Sequence, residues 1–234
     1  MHLAQSLPTH APGVFTGGAN VIAVLILLAE FGMLRQALLR DHIRLYMAQS
    51  ALISVLAIVI AADRNLPELY VLAALSAALK VVAVPLVLRR LLTRTGDDEE
   101  EAVGVAGSNT LSPATAVLAG IVLAAFGFFC FGSLGIHGPA APALALSLAA
   151  AMVLVSFGLM IVRRDVASQA IGFLSLENAI SLASLVVASG LPFILETGFL
   201  FDLLAAVVVF GMLIRAHHAR SESLSTADLT KLQG

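Results

Sequence analysis

Charge is scarce in this sequence. Asp, Glu, Lys and Arg make up 12% of its 234 residues, 59% are hydrophobic, and the mean hydropathy is +0.99. A soluble domain carries about 25% charged residues and less than half apolar ones. So much apolar surface cannot be hidden inside one globule and calls for lipid. The net charge of -2 leaves no basic face of the kind that attracts nucleic acid. Cysteine is nearly absent: Cys130 stands alone in an apolar run, which excludes an intrachain disulfide, an iron–sulfur site and a cysteine zinc site. The first residues, MHLAQSLPTHAPGV, lack the positive start and small-residue cleavage site of a signal peptide, so insertion is expected to rest on the first apolar segment itself.

The common catalytic signatures are missing too. There is no Walker loop, dinucleotide fingerprint, HExxH or GxSxG. His42, His137, His217 and His218 fall in connections or at the ends of apolar segments, which argues against a histidine-ligated haem. The expectation is a non-enzymatic chain with no cofactor and no metal site.

What the chain does have is seven apolar segments, at roughly Val14–Leu34, Leu45–Ala62, Leu66–Val87, Ala114–Leu134, Ala141–Val162, Val166–Ala188 and Leu191–Ile214. Each is close to the ~20 residues that cross ~30 Å of hydrocarbon. In lipid the backbone must pair its polar groups internally, and no alternating strand pattern suggests a barrel. The expected fold is all-α, a polytopic membrane protein of about seven helices.

Positive charge collects in cytoplasmic connections. Arg35, Arg40 and Arg44 follow the first segment, Arg89, Arg90 and Arg94 the third, and Arg163 and Arg164 the fifth. Arg215, Arg220 and Lys231 lie beyond the seventh. These are eleven of the 13 Lys and Arg residues, with Arg64 alone on the other side and Lys80 inside a segment. The N-terminus is therefore expected outside and the C-terminus in the cytoplasm. The chain divides into a three-helix part (1–92), an acidic cytoplasmic loop (93–112), a four-helix part (113–215) and a tail (216–234). The run Asp97–Glu101 resists packing because its like charges repel.

Ionisable residues inside the segments need a reason, since a charge at mid-membrane costs roughly 3 kcal/mol. Glu177 lies about eleven residues into the sixth segment and Asp202 about eleven into the seventh, each ~16 Å deep at 1.5 Å per residue. Lys80 is about fourteen residues into the third, near the same layer. These three groups can form a set of titratable sites or, in part, a static ion pair between helices. Glu196 is near the outer surface and about 240° around its helix from Asp202. Glu30 lies near the cytoplasmic end of the first segment, where it is expected to snorkel, the alternative being an accessory group to the titratable set. Asn178 and Ser181 can donate hydrogen bonds beside Glu177, or simply serve helix packing.

The stretches GFLSLENAISLASL (Gly172–Leu185), LPFILETGFLFDLLAAVVVFGMLI (Leu191–Ile214) and LSTADLTKLQG (Leu224–Gly234) resemble component E of hydrogenase-4-type membrane complexes. YMAQSAL (Tyr46–Leu52) and SAALKVVAVPLVL (Ser76–Leu88) add to that resemblance. The back part is also similar to the K-type membrane subunit of respiratory complex I, whose two adjacent helices each carry a glutamate implicated in proton transfer. Glu177 matches the first of these and Asp202 is the better match to the second, with Glu196 as competitor. The sequence departs from that pattern in having Asp for Glu, a shorter connection, and Ser181 where an asparagine is expected.

The resemblance implies a bacterial or archaeal plasma-membrane subunit that contributes to proton or cation translocation. It would sit between soluble nickel–iron hydrogenase-like or related redox subunits and antiporter-like membrane subunits. Two other readings stay open: a purely structural link between those arms, and a component of a cation–proton antiporter. The second is opposed by the lack of paired interrupted helices or inverted repeats.

Overall fold

The structure of the chain, a computed structural model, describes residues 14–36, 38–94, 111–133, 143–163 and 166–187, together with 204, 207 and 211. The described residues are helical throughout their ordered elements. In chain order these are α1 (Val14–Arg35), α2 (Leu39–Arg64), α3 (Pro67–Ser76), a π-helical segment (Ala77–Ala83), α4 (Val84–Arg94), α5 (Pro113–Ser133), α6 (Ala143–Val162) and α7 (Val166–Val187). The expected seventh segment, the acidic run Asp97–Glu101 and the tail lie outside the described residues, apart from Leu204, Val207 and Gly211.

Four of the expected segments agree with α1, α5, α6 and α7 to within two residues at either end. The second helix begins at Leu39 rather than Leu45, because its first turns are amphipathic: Leu39, His42 and Ile43 are buried while Arg40 and Arg44 are exposed. Hydropathy alone passes over such turns. Asp41 suits the positive helix start and pairs with Arg44 at 3.1 Å. The third segment runs on to Arg94, past the expected boundary at 92, and is not one uniform helix. Pro85 has no N–H, and its ring would press on the carbonyl four residues back. Just ahead of it the chain is π-helical, with the Val84 N–H bonded to the Leu79 carbonyl five residues back.

The turns have local causes. Asn65 closes α2 at φ 53°, a left-handed position that asparagine tolerates, and Pro67 starts α3 where a missing N–H costs nothing. Ser112 caps α5, its Oγ accepting from the Thr115 N–H at 3.2 Å.

α2 packs against α1, α3, the π segment and α7, while α6 lies between α5 and α7 and also touches α1. The interior is apolar side chains such as Ile26, Leu56, Met152, Leu159 and Leu182. The outward side is equally apolar: Ile161 is 77% exposed and Phe129 71%. Leu39–Asp63, Pro67–Arg90, Pro113–Ser133 and Leu144–Val162 are long and apolar enough to cross a membrane. Large apolar side chains facing outward on such helices mark a membrane-embedded protein, because water would penalise them and lipid does not. Cys130 is on this exposed side of α5.

Little hydrophobic force draws helices together in lipid, so close approach by small residues matters more. Ala116, Gly120, Ala124 and Gly127 form the buried stripe of α5. A Cβ on Gly127 would come within 2.8 Å of the Ala150 carbonyl oxygen and 3.0 Å of the Ala151 Cα, both on the α6 backbone. Gly127→Ala should therefore destabilise the bundle by about 1–3 kcal/mol. Gly18→Ala, with nothing within 4 Å of its added Cβ, should leave it unchanged. Thermal unfolding in detergent, followed by monodispersity, measures the difference.

Candidate functional site

Lys80 sits in the π segment and is 2% exposed. Its Nζ lies 2.6 Å from Glu177 Oε1 and 2.5 Å from Glu177 Oε2 on α7. The same ammonium donates to Ser181 Oγ at 3.1 Å and to Asn178 Oδ1 at 3.4 Å. Ser181 Oγ in turn donates to Glu177 Oε1 at 3.0 Å, one turn back along α7. Four residues singled out from the sequence thus form one cluster.

From Asn178 the polar contacts continue across the bundle. Its Nδ2 donates to Gln49 Oε1 at 3.0 Å and to Ser50 Oγ at 2.9 Å, both on α2. Gln49 Nε2 donates to Glu30 Oε2 on α1 at 2.7 Å. Glu30 also accepts from Ser156 Oγ on α6 at 2.9 Å and from Ser175 Oγ on α7. Ser175 Oγ lies 3.0 Å from Gln49 Oε1 as well. The expected snorkelling of Glu30 is overturned: its carboxylate is fully buried, because α2, α6 and α7 each present a donor to it. Two carboxylates, one ammonium, two amides and a set of hydroxyls therefore form a continuous buried network joining α1, α2, the π segment, α6 and α7.

Beside the ion pair is a cavity of about 60 Å³. Ser54, Ser76, Lys80, Glu177, Ser181 and Ser184 supply its polar lining, and apolar side chains such as Ile53 and Leu72 the rest. That is above the ~15 Å³ a cavity needs to hold water, and the hydroxyls can bond it.

A second polar cluster closes one end of the bundle. Arg163, at the end of α6, is 2% exposed and donates through one guanidinium nitrogen to the carbonyls of Met33 at 3.4 Å, Leu34 at 3.5 Å and Gln36. These carbonyls end α1, where helix geometry leaves them without internal partners and a cation suits the negative end. His42 Nε2 is 2.7 Å from the Met33 carbonyl and Nδ1 is 3.1 Å from that of Leu38. Arg163 is thus a helix cap as well as a connection charge.

Asp202 and Glu196 lie outside the described residues. Among the described residues no group of three or more His, Cys, Asp or Glu is placed to hold a metal. Sequence reasoning missed Gln49, Ser50, Ser156 and Ser175. The available signal was weak: Ser175, Asn178 and Ser181 recur every third residue, which keeps neighbours on adjoining faces of a helix, and Gln49 interrupts an apolar run.

No protein-family model matches the chain, and no solved structure does. A relative named uncharacterized protein Rv0085, from Mycobacterium tuberculosis, is 33% identical over 139 residues, which is 58% of this chain and 60% of the relative. The chain thus spans about 60% of the length of the curated relative it matches.

Removing one partner of a buried ion pair leaves an uncompensated charge and typically costs 3–5 kcal/mol, whereas replacing both with apolar groups is often neutral. Lys80→Met should accordingly destabilise the protein by about 3 kcal/mol or more, and Lys80→Met/Glu177→Leu should recover most of the loss. Unfolding midpoints of the three proteins in one detergent decide it.

Proposed function

We propose that this chain is a non-catalytic, cofactor-free membrane subunit of a hydrogenase-type, complex-I-related redox complex, in which buried carboxylates and a lysine help to translocate protons. The observation that carries this reading is the buried network from Glu30 through Gln49 and Asn178 to Lys80 and Glu177. Charged groups inside a bundle of apolar helices are costly and tend to mark ion pathways. A carboxylate beside an ammonium and exchangeable hydroxyls can take up and release a proton without large rearrangement, because each hydroxyl donates or accepts as it turns. The water-sized cavity beside the pair offers a wetted approach. Glu177 and Lys80 act as the central station, Asp202 as the next carboxylate, Glu196 as an outer one, and Asn178 and Ser181 hold the station in place. The partners are antiporter-like membrane subunits and soluble nickel–iron hydrogenase-like or related redox subunits.

In this reading the chain crosses a bacterial or archaeal plasma membrane about seven times, with its N-terminus outside. A C-terminal fluorescent-protein fusion should therefore be bright and a C-terminal alkaline phosphatase fusion inactive; the opposite pair of results reverses the orientation.

The relay is tested in the assembled complex. Glu177→Gln and Asp202→Asn should each lower proton translocation per electron at least tenfold while electron transfer through the soluble subunits persists. The Lys80–Glu177 contact also favours a second reading, a subunit that only fastens two arms together. On that reading the same changes deplete the complex in native gels, and whatever complex survives pumps normally.

A further inference from the structure

Between the end of α1 and the start of α5 the outer side of the bundle carries a groove of about 460 Å³, lined by Arg35, Pro113, Ala114, Val117, Leu118 and Ile121. That volume is within the ~300–1,000 Å³ of small-molecule sites. Ala114, Val117, Leu118 and Ile121 recur at three- and four-residue spacing, so they form one apolar strip along the first turns of α5. Leu118 is 62% exposed and Ile121 51%, while Val117 packs on the core beneath. One end of the strip carries a cation, Arg35, in the last turn of α1.

Arg35 is exposed and has no hydrogen bond or ion pair with any described residue. Other arginines at this end of the bundle are engaged elsewhere: Arg44 pairs with Asp41, Arg89 donates to the Met47 sulfur, and Arg163 holds the closing carbonyls of α1. No acidic residue lies in the first turn of α5 to answer Arg35. The start of α5 offers little of its own to an anion, since Pro113 has no N–H and the N–H groups of Thr115 and Ala116 are bonded to Ser112. An anion in the groove therefore falls to Arg35, whose guanidinium presents two parallel donors to a phosphate.

Depth decides which anion. Pro113–Ser133 is long and apolar enough to cross a membrane, so Pro113 marks the edge of the hydrocarbon and Arg35 beside it is at headgroup level. From there the apolar strip runs inward for eight residues to Ile121, ~12 Å at 1.5 Å per residue. We propose that this groove is a binding site for one anionic phospholipid, with its phosphate on Arg35 and an acyl chain along Val117, Leu118 and Ile121. A free phosphate would leave the strip uncovered, and an acidic peptide segment would set its charges against apolar side chains. Basic pockets between membrane helices are known to hold anionic headgroups, and the strip adds the contact that a chain of methylenes needs. The groove is separate from the Lys80–Glu177 cluster, and the inference asks only that the chain be membrane-embedded.

The test is native mass spectrometry of the full chain in detergent, offered phosphatidylglycerol and phosphatidylcholine with the same acyl chains. The wild type should retain one phosphatidylglycerol about fivefold more than phosphatidylcholine, the worth of one cation near an anionic headgroup. Arg35→Gln should abolish that preference and Arg35→Lys should keep most of it, while Arg44→Gln leaves it unchanged. Leu118→Trp, which fills the groove, should lower retention of both lipids. All four variants should unfold at the wild-type temperature in lipid-free detergent, because the substituted side chains face outward. Equal retention of the two lipids by the wild type, or an equal loss of preference in Arg44→Gln, would overturn the site. So would release of phosphatidylglycerol by millimolar inorganic phosphate, which marks a free-anion site. A preference that emerges only when Asp97–Glu101 is replaced by serines would also overturn it, by marking that acidic run as the occupant.

Discussion

The contact between Lys80 and Glu177 constrains most of the bundle. An ammonium carried by an apolar helix loses its hydration wherever it is enclosed, and only an anion in good geometry offsets that loss. Glu177 supplies it at 2.5 and 2.6 Å, from a helix about a hundred positions further along the chain. The pairing fixes the rotation of α7 about its own axis, and with it the directions of Asn178, Ser181 and Ser175. It also fixes the π segment in register, because Lys80 is at the centre of those wider turns. Single π turns inside α-helices are often found at functional sites, where they redirect a side chain.

Once α7 is oriented, the remaining polar groups have few choices. Asn178 faces α2, so Gln49 and Ser50 receive its amide; Gln49 then faces α1 and completes Glu30. α1 and α6 contribute one polar side chain each to this seam, Glu30 and Ser156, whereas α7 contributes four, Ser175, Glu177, Asn178 and Ser181. A partly satisfied network in such surroundings would be worse than none. Here the bonds run unbroken from cation to anion, which makes the polar seam specific as well as tolerable. The seam includes hydroxyls and carboxyls, whose protons exchange, and amides, which hold direction.

The apolar packing has a different logic. α5 lies against α6 through Gly127 and other small residues, with backbone nearly touching backbone. At the end of the bundle Arg163 and His42 take up the last carbonyls of α1. A residue expected from the sequence only as a connection charge is thereby also a structural cap, because the end of a helix with unpaired carbonyls is the end that a cation suits.

Composition and hydropathy by themselves determined that the chain is helical and membrane-embedded, and they placed α1, α5, α6 and α7 closely. They did so because the requirement to pair backbone groups in lipid leaves helices as the solution, and length follows from bilayer thickness. The sequence also singled out Lys80, Glu177, Asn178 and Ser181, since polar residues in apolar runs are conspicuous. Only the tertiary structure decided that these four meet, that Glu30 turns inward to Ser175 and Gln49 instead of reaching for the interface, and that Lys80 rides on a π turn ahead of Pro85. The reason is that the direction of a side chain depends on helix rotation and on which helices are neighbours, and pairs such as Glu30 with Ser175, or Lys80 with Glu177, are too far apart in the chain for any local pattern to record.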